Sequence, residues 1–320
     1  MALRIVAGGA GRRLASAIAG CLDVEPASCS GDRFPDGELR PCVGDLRGDD
    51  VYVIQPTGPP VNDNLVELLL ILDACRRSGA ERVTAVVPYY GYARQDRRER
   101  SGEAIGARTA ADVISAAGAD RVLAVDPHTA ALESMFGIGV ETFTAVPVLV
   151  NALAGTLPDG VVVVAPDLGA VKLAERVAGY LDLTVAVVRK TRVSGTSVRT
   201  TGLVGDVVDR PVLIVDDMIS TGATIVAAAE AALAHGAAPD MTVTATHALL
   251  IADATDRLAA LPLQRVVVAD TVPLPARRPI WLDVRSVAPL LADAVSRTHS
   301  GGPLDGLPQH TAESRSVGRS

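Results

Sequence analysis

The stretch that decides the fold is Val212-Leu-Ile-Val-Asp-Asp-Met-Ile-Ser-Thr-Gly-Ala-Thr224. Its first four residues are apolar and predict a buried strand, and the small residues at its end predict a turn that opens a helix. Two adjacent carboxylates, Asp216 and Asp217, stand between the strand and the turn. Ligands in open α/β sheets bind at the carboxyl ends of the strands. The stretch therefore predicts an α/β fold with a ligand site at this turn.

Strand and helix patterns alternate on both sides of this stretch. Short β-branched runs are followed by Ala- and Leu-rich segments at helical spacing, which is typical of parallel sheets with helices on both faces. The strand and turn at 51–58 resemble those at 161–169, by duplication or by chance. We expect two consecutive α/β domains, 1–145 and 146–298. Residues 299–320 are polar and rich in Gly, Ser and Pro, so we expect a disordered tail.

Composition narrows the class of protein. The chain has 320 residues, 48% of them hydrophobic and 21% charged, with a mean hydropathy of +0.29. These values exclude a wholly disordered chain, and no apolar run reaches the roughly 18 residues that a membrane-spanning helix needs. The net charge of −7 at pH 7 argues against broad electrostatic binding of nucleic acid or anionic lipid. We therefore expect no nucleic-acid and no membrane partner, and the lack of a basic region before the apolar N-terminal stretch predicts a cytoplasmic protein.

The turn after the strand has the chemistry of a phosphate site. A helix N-terminus offers unpaired N–H groups and a positive dipole to an anion, and hydroxyl and glycine residues at the turn add donors and close backbone approach. The candidate phosphate ligands are Ser220, Thr221, Gly222, Ala223 and Thr224. Asp216 and Asp217 are placed to accept hydrogen bonds from sugar hydroxyls. The turn thus predicts a phosphosugar site; an ordinary helix start with solvated carboxylates is the alternative.

This stretch resembles the phosphoribosyl-pyrophosphate loop of the phosphoribosyltransferase fold. Five further motifs occur in the order and spacing of the ribose-phosphate pyrophosphokinases, and the resemblance runs from about Arg4 to Leu307. The motifs are Phe34-Pro-Asp-Gly-Glu38, Asn62-Asp-Asn-Leu-Val-Glu-Leu-Leu69, Pro88-Tyr-Tyr-Gly-Tyr-Ala-Arg-Gln-Asp-Arg97, Asp126-Pro-His128 and Ala165-Pro-Asp-Leu-Gly169. The first motif is weak alone, whereas the third is specific, and together they identify the chain as similar to this family.

The resemblance implies a fold and a reaction. The fold is two tandem phosphoribosyltransferase-like domains, each a mainly parallel sheet flanked by helices. The reaction transfers the pyrophosphoryl group of ATP to the anomeric hydroxyl of ribose 5-phosphate, with Mg²⁺ as the cofactor. The ribose 5-phosphate site would comprise Asp167, Asp216, Asp217 and the 220–224 turn. The ATP site would comprise Phe34, Asp36, Glu38, Arg94, Gln95 and Asp96.

The resemblance also implies a metal site, catalytic cations and an oligomer. His128 and Asp167 match metal-associated positions. Lys190 and Arg192 lie on a polar stretch between two predicted strands that resembles the family's closing catalytic loop, which would bring positive charge to the migrating group. Lys190 is one of two lysines among the 30 basic residues, which indicates a need for an ammonium group there. In the family the Phe34 turn comes from a neighbouring subunit, so a homo-oligomer is implied.

Some details of the motifs bear on the branch of the family and on competing functions. Ser220, Pro35 and the Gly102-Glu-Ala-Ile105 stretch resemble the archaeal-type branch, in which phosphate activation and ADP inhibition are reduced or absent. One alternative function is a non-catalytic regulatory paralogue that keeps the fold. Another is a phosphoribosyltransferase that consumes phosphoribosyl pyrophosphate and shares only the 216–224 stretch.

Overall fold

The computed structural model of the chain describes residues 1–192, 198–275 and 277–310, with the backbone alone at 190–192 and 198–201. These residues form two compact units. The first unit contains Met1–Ala145, Thr271–Pro273 and 286–310, and the second contains Val146–Asp270 and Leu274–Arg285. Each unit has its own hydrophobic core.

The first unit is built on a five-stranded parallel sheet. In chain-order numbering its strands are β1 (Leu3–Ala7), β4 (Asp50–Ile54), β5 (Arg82–Val87), β6 (Arg121–Val125) and β7 (Gly139–Phe143), and they stand side by side in that order. Strands β2 (Cys29–Arg33) and β3 (Leu39–Val43) form a separate antiparallel hairpin. The helices are α1 (Arg12–Leu22), α2 (Val61–Arg77), α3 (Gly106–Ala116), α4 (Leu132–Met135) and α9 (Ala288–Ser300).

The second unit contains a seven-stranded sheet. Its strands are β8 (Val162–Ala165), β9 (Thr184–Arg192), β10 (Val198–Val204), β11 (Val212–Ile219), β12 (Met241–Ala248), β13 (Leu263–Ala269) and β14 (Leu282–Arg285). The strand order is β10-β9-β8-β11-β12-β13-β14, and only the β9–β10 pairing among these is antiparallel. The helices are α5 (Val146–Leu153), α6 (Val171–Leu181), α7 (Ala223–Ala234) and α8 (Ala254–Ala259).

These two sheets confirm the predicted α/β class. The central strands are buried on both faces, as Val53 on β4 and Ile214 on β11 show. A parallel sheet covered on both sides has continuously apolar strands, which is why the sequence pattern locates them. No helix in the described ranges is both long enough and apolar enough to cross a bilayer.

The C-terminal part of the chain belongs to the first unit, and this corrects the predicted extent of the second domain and of the disordered tail. Helix α9 buries Leu291 and Val295 and packs against α1. Beyond it, the backbone N of Thr144 donates to the carbonyl oxygen of Pro308 at 2.9 Å. The polar groups of this segment bond to the first unit rather than only to water, which composition does not reveal. Residues 311–320, the rest of the predicted tail, lie outside the described residues.

Candidate functional site

The carboxylates predicted to bind the phosphosugar gather at one edge of the second sheet. Strands β8 and β11 are parallel neighbours, with Val162 opposite Val212. Asp167 follows the end of β8, and Asp216 and Asp217 lie near the end of β11. Because the carboxyl ends of parallel strands meet at the same edge of a sheet, the two strands bring the three carboxylates together.

Asp216 is affected by both neighbouring carboxylates. Its Oδ1 accepts a hydrogen bond from the backbone N of Asp217 at 3.0 Å. Burial raises the pKa of Asp216 well above its usual value, and the negative charges of Asp217 and Asp167 raise it further. Hydroxyl donors at this edge would stabilise the ionised carboxylates, so the arrangement suits a ligand that carries several hydroxyl groups.

Asp167 also caps the turn that follows β8. Its Oδ1 accepts hydrogen bonds from the backbone N of Gly169 at 3.0 Å and of Ala170 at 3.3 Å. The 3-10 turn Leu168–Ala170 leads directly into α6. These bonds fix the carboxylate of Asp167 relative to the strand end.

The turn between β11 and α7 combines a glycine conformation with a helix N-terminus. Gly222 has φ +75°, in the left-handed region where a side chain would be strained. Helix α7 begins at the next residue and is 12 residues long, so its first-turn N–H groups point toward the turn. The backbone N of Ile251 donates to the carbonyl oxygen of Ser220 at 3.1 Å and anchors the turn to the segment after β12. Residues 220–224 therefore lie where an anion can bind.

Phe34, Asp36 and Glu38 lie at the tip of the β2–β3 hairpin. The backbone N of Phe34 donates to the carbonyl oxygen of Glu38 at 2.8 Å, and the backbone N of Glu38 donates to Oδ1 of Asp36 at 3.1 Å. The Phe34 side chain is 42% exposed, and the guanidinium of Arg40 lies 5.1 Å from its ring centre. The tip is thus a preformed turn that presents an aromatic ring able to stack on a base.

Arg94, Gln95 and Asp96 lie in the loop between β5 and α3. The backbone N of Gln95 donates to the carbonyl oxygen of Tyr92 at 2.8 Å, and its own carbonyl oxygen accepts from the backbone N of Ala107 at 3.2 Å. Asp96 is half-buried, while Arg94 and Gln95 are exposed. These hydrogen bonds hold the backbone of the loop in place. Arg94 itself is exposed, so its guanidinium is accessible to a ligand.

The first turn of α2 is bonded next to both segments that the sequence predicts to bind ATP, and the sequence patterns do not indicate these bonds. Oδ2 of Asp63 accepts from Nη2 of Arg33 at 3.3 Å, next to the hairpin tip. Oδ1 of Asn62 accepts from the hydroxyl of Tyr92, two residues before Arg94. The only sequence feature that could have indicated these bonds is the polar Asn62-Asp63 pair at the start of an apolar helix. The sequence does not show which residues that pair contacts.

The two predicted metal-associated residues belong to different units. His128 follows β6 in the first unit and is exposed, whereas Asp167 follows β8 in the second unit. Within the described part of the chain, no group of three or more His, Cys, Asp or Glu side chains is arranged to hold a metal ion. The metal pairing stays a prediction.

Lys190 and Arg192 lie on a strand, which corrects their predicted placement on a loop between strands. Strand β9 extends to Arg192, and in the antiparallel pairing with β10 Lys190 is opposite Thr200 and Arg192 is opposite Val198. Threonine and arginine are common on exposed hairpin strands, so the polarity of this stretch does not mark a loop. Residues 193–197, the middle of the predicted loop, lie outside the described residues.

The fold and these sites define a class of protein. One α/β unit carries a helix N-terminus next to clustered carboxylates, and the other carries a preformed turn with an exposed aromatic ring, at strand ends or a hairpin tip. This is the architecture of a transferase that acts on phosphorylated substrates. Sequence profiles narrow the class: the N-terminal domain of ribose phosphate pyrophosphokinase matches residues 3–118, and the phosphoribosyl synthetase-associated domain matches residues 196–307.

The chain belongs to the ribose-phosphate pyrophosphokinase family. The ribose-phosphate pyrophosphokinase of Caldanaerobacter subterraneus subsp. tengcongensis is 42% identical over 302 residues, which cover 93% of this chain and 95% of the relative. That of Gloeobacter violaceus is 40% identical over 308 residues, which cover 95% and 92%. The crystal structure of phosphoribosylpyrophosphate synthetase from Mycobacterium smegmatis matches 94% of this chain and 100% of that chain, with a TM-score of 0.88 and 37% identity. The predicted family and enzyme class are confirmed.

The same relatives correct the predicted branch. These relatives are bacterial, so the expected closeness to the archaeal-type branch is not supported. The prediction of a reduced response to phosphate and ADP depended on that branch, so it is no longer supported either. The two relatives align with nearly the whole chain and are named ribose-phosphate pyrophosphokinases, so the similarity is not restricted to the 216–224 stretch and does not favour a phosphoribosyltransferase.

Proposed function

We propose that this chain joins the β,γ-pyrophosphoryl group of ATP to the anomeric oxygen of ribose 5-phosphate. A bond forms between that oxygen and the β-phosphorus, the bond from the β-phosphorus to the bridging oxygen of the α-phosphate breaks, and the hydroxyl proton is released. The products are 5-phosphoribosyl 1-pyrophosphate and AMP. The observation that carries the proposal is the position of Asp216 and Asp217 beside the N-terminus of α7.

Ribose 5-phosphate binds at this edge of the second sheet. Its phosphate accepts hydrogen bonds from the N–H and hydroxyl groups of residues 220–224, because these groups stand at the positive end of α7. Asp216 and Asp217 accept hydrogen bonds from the ribose hydroxyls. Such donors favour the ionised form of Asp216, which the neighbouring carboxylates disfavour.

ATP binds to the exposed groups of the first unit. The ring of Phe34 stacks on adenine, and Asp36 and Glu38 accept hydrogen bonds from its amino group. Arg94 pairs with phosphate oxygens of ATP through its guanidinium. Gln95 forms hydrogen bonds to ATP through its side-chain amide, and Asp96 belongs to the same ATP-binding loop. The preformed hairpin tip and the bonded backbone of the loop support this assignment, since little ordering is then needed on binding.

Magnesium needs only one carboxylate from the edge of the second sheet when substrate oxygens and water supply its other ligands. Mg²⁺ takes oxygen ligands and uses few protein groups beside substrate phosphates and water. A cation would relieve the repulsion that raises the pKa of Asp216. We assign Asp167 to the ion, with His128 acting on it directly, through water or on a phosphate. When bound with ATP, the ion offsets the negative charge of the triphosphate.

Lys190 and Arg192 supply positive charge to the migrating pyrophosphoryl group. Transfers of this type depend on positioning and charge stabilisation rather than on covalent catalysis. Both residues lie in the last three positions of β9, next to 193–197. The scarcity of lysine elsewhere in the chain supports a specific need for the ammonium group of Lys190.

The enzyme acts as a homo-oligomer in which the β2–β3 hairpin tip completes the ATP site of a neighbouring subunit. The exposed ring of Phe34 at that tip supports this arrangement. The competing arrangement is an ATP site within one chain, since Arg33 and Tyr92 are both bonded to the first turn of α2. Mixing of inactive subunits separates the two arrangements.

The experiment that tests the function is AMP release from ATP, measured with and without ribose 5-phosphate. Asp217→Asn should raise KM for ribose 5-phosphate about ten-fold or more, because one charge-assisted hydrogen bond is lost, and should leave the thermal unfolding temperature nearly unchanged. Asp253→Asn makes the same change at an exposed position of the second unit and is the control. Unchanged ribose 5-phosphate kinetics in Asp217→Asn would contradict the assigned site, and absence of AMP release would contradict the reaction.

A further inference from the structure

The C-terminal segment 308–310 pairs with the edge of the first sheet. Strand β7 is the last strand of that sheet, and Gln309 lies opposite Phe143 in an antiparallel bridge. The backbone N of His310 donates to the carbonyl oxygen of Thr142 at 3.0 Å. The pairing fixes the position of the His310 side chain relative to the neighbouring strand β6.

His310 reaches a buried carboxylate at the end of β6. The side chain of Asp126 is 4% exposed, and its Oδ1 lies 3.1 Å from Nδ1 of His310. A carboxylate only accepts hydrogen bonds, so Nδ1 of His310 is the donor. Oδ2 of Asp126 accepts from the backbone N of Ala145 at 2.9 Å. The two oxygens are therefore held by different parts of the first unit.

The backbone at Asp126 needs these contacts. Its φ is +39°, in the left-handed region that residues other than glycine rarely adopt. Its backbone N donates to the carbonyl oxygen of Phe143 at 2.8 Å. A strained conformation persists only where surrounding contacts over-determine it. If the contact from His310 were lost, the turn could change direction and displace His128, which is two residues further on.

We propose that His310 is a positioning residue for the reaction. Through the buried carboxylate of Asp126 it fixes the direction of the 126–128 turn, and thereby the place of His128 at the metal–nucleotide site. The inference rests on the proposed function, in which His128 acts on the metal ion or the triphosphate. The matched family profiles end at residue 307, so His310 lies beyond the part of the chain that they describe.

Three variants test this role. His310→Ala removes the donor to Asp126, whereas His310→Asn places an amide N–H close to the position of the imidazole Nδ1–H. Gln309→Ala is the matched control, because it removes the 2.9 Å hydrogen bond from Nε2 to the carbonyl oxygen of Leu304 in the same segment without touching Asp126. In His310→Ala, kcat/KM for magnesium ATP should fall about ten-fold or more, as a displaced catalytic group predicts. KM for ribose 5-phosphate should stay unchanged, His310→Asn should recover most of the loss, and Gln309→Ala should resemble wild type.

A second readout does not depend on activity. The chain has five histidines, so selective ¹³Cε1 labelling of histidine gives five NMR signals. The signal of His128 should shift in His310→Ala and keep its wild-type position in Gln309→Ala, with circular dichroism showing that both variants are folded. The proposal is overturned if His310→Ala leaves the His128 signal and the ATP kinetics unchanged, or if Gln309→Ala has the same effects. If the wild type itself releases no AMP, the proposed function fails, and the NMR comparison still decides whether His310 positions His128.

Discussion

Arg82, which is 30% exposed, forms an ion pair with the buried carboxylate of Asp50, and the end of helix α9 adds further bonds to this pair. Arg82 donates to the Asp50 carboxylate from Nε at 2.8 Å and from Nη2 at 2.5 Å, and Asp50 is fully buried. Nδ1 of His299 lies 2.6 Å from Oδ2 of Asp50, and Arg82 also donates to the carbonyl oxygen of Thr298 at 3.0 Å. One carboxylate on β4 thus connects β5 with the C-terminal helix.

This ion pair predicts a stability that depends on pH. Burial alone would raise the pKa of Asp50, but hydrogen bonds from Arg82 and His299 outweigh it and hold the pKa below its usual value. The stabilisation is therefore complete above the unfolded-state pKa, near 4, and is lost as the pH falls through the folded-state value. Asp50→Asn should lower the free energy of unfolding by about 3 kcal/mol at pH 7.

Urea unfolding as a function of pH checks this prediction. The difference between wild type and Asp50→Asn should begin to shrink as the pH falls below about 4, because the carboxylate of the unfolded chain is protonated there, and it should vanish only below the lower folded-state pKa. Asp73→Asn, which breaks an exposed pair with Arg77 on α2, is the control and should change stability little. A difference that does not depend on pH would show that the charge of Asp50 is not what stabilises the fold.

The carboxylates of Asp167, Asp216 and Asp217 predict that the contribution of Asp216 to stability changes with pH in the direction opposite to that of Asp50. Its pKa is raised by burial and by Asp217 and Asp167, so its contribution to stability is complete below the unfolded-state pKa near 4 and is lost as the pH rises through the folded-state value. Asp216→Asn should therefore increase the free energy of unfolding at pH 7, while it weakens use of ribose 5-phosphate. Urea unfolding at pH 4 and pH 7 measures this, and an equal gain at both values would refute the electrostatic cause.

A shared ATP site predicts complementation between inactive subunits. A chain with Phe34→Ala and Asp36→Ala should be inactive, as should a chain with Arg94→Ala, because each lacks one half of the site. Mixed oligomers should recover part of the wild-type AMP release, since some interfaces combine an intact hairpin tip with an intact loop. If verified mixed oligomers stay inactive, the ATP site lies within one chain, where the first turn of α2 connects both segments.

Lys190 should act mainly on the transition state. An ammonium that stabilises the migrating pyrophosphoryl group more than bound ATP accelerates the step. Lys190→Ala should lower kcat by about 10²–10³, with a much smaller change in KM for ATP. Lys190→Arg keeps the charge but changes its shape and should recover activity in part. Steady-state kinetics decides the matter: a raised KM with unchanged kcat would make Lys190 a ground-state binding residue and leave the catalytic role to Arg192.

The sequence predicts those parts of the structure that depend on local pattern. Strands such as β4 and β11 are located because burial on both faces makes them apolar, and Gly222 marks the turn at α7 because only glycine adopts its conformation without strain. The carboxylates of Asp216 and Asp217 follow from their place at the end of such a strand. Pattern and local chemistry therefore predict which edge of the second sheet carries the clustered carboxylates.

Features that depend on long-range contacts could not be predicted. Nothing near His299 in sequence indicates that it bonds to Asp50, and nothing near His310 indicates that it bonds to Asp126. A polar composition at 299–310 is compatible with a solvated segment and with a segment that bonds to the rest of the chain. Only the folded structure shows that these residues bond to the first unit. In the same way, the polar residues around Lys190 do not distinguish a loop from a strand of a hairpin.

The return of α9 and residues 301–310 to the first unit has a consequence for biosynthesis. A ribosome makes residues 1–145 first, but Asp50 cannot meet His299, and Asp126 cannot meet His310, until these two histidines have emerged. The unit that is translated first is thus the one that finishes folding last. Premature termination anywhere before residue 310 leaves the first unit incomplete, so a nascent chain would require protection there until residue 310 has emerged.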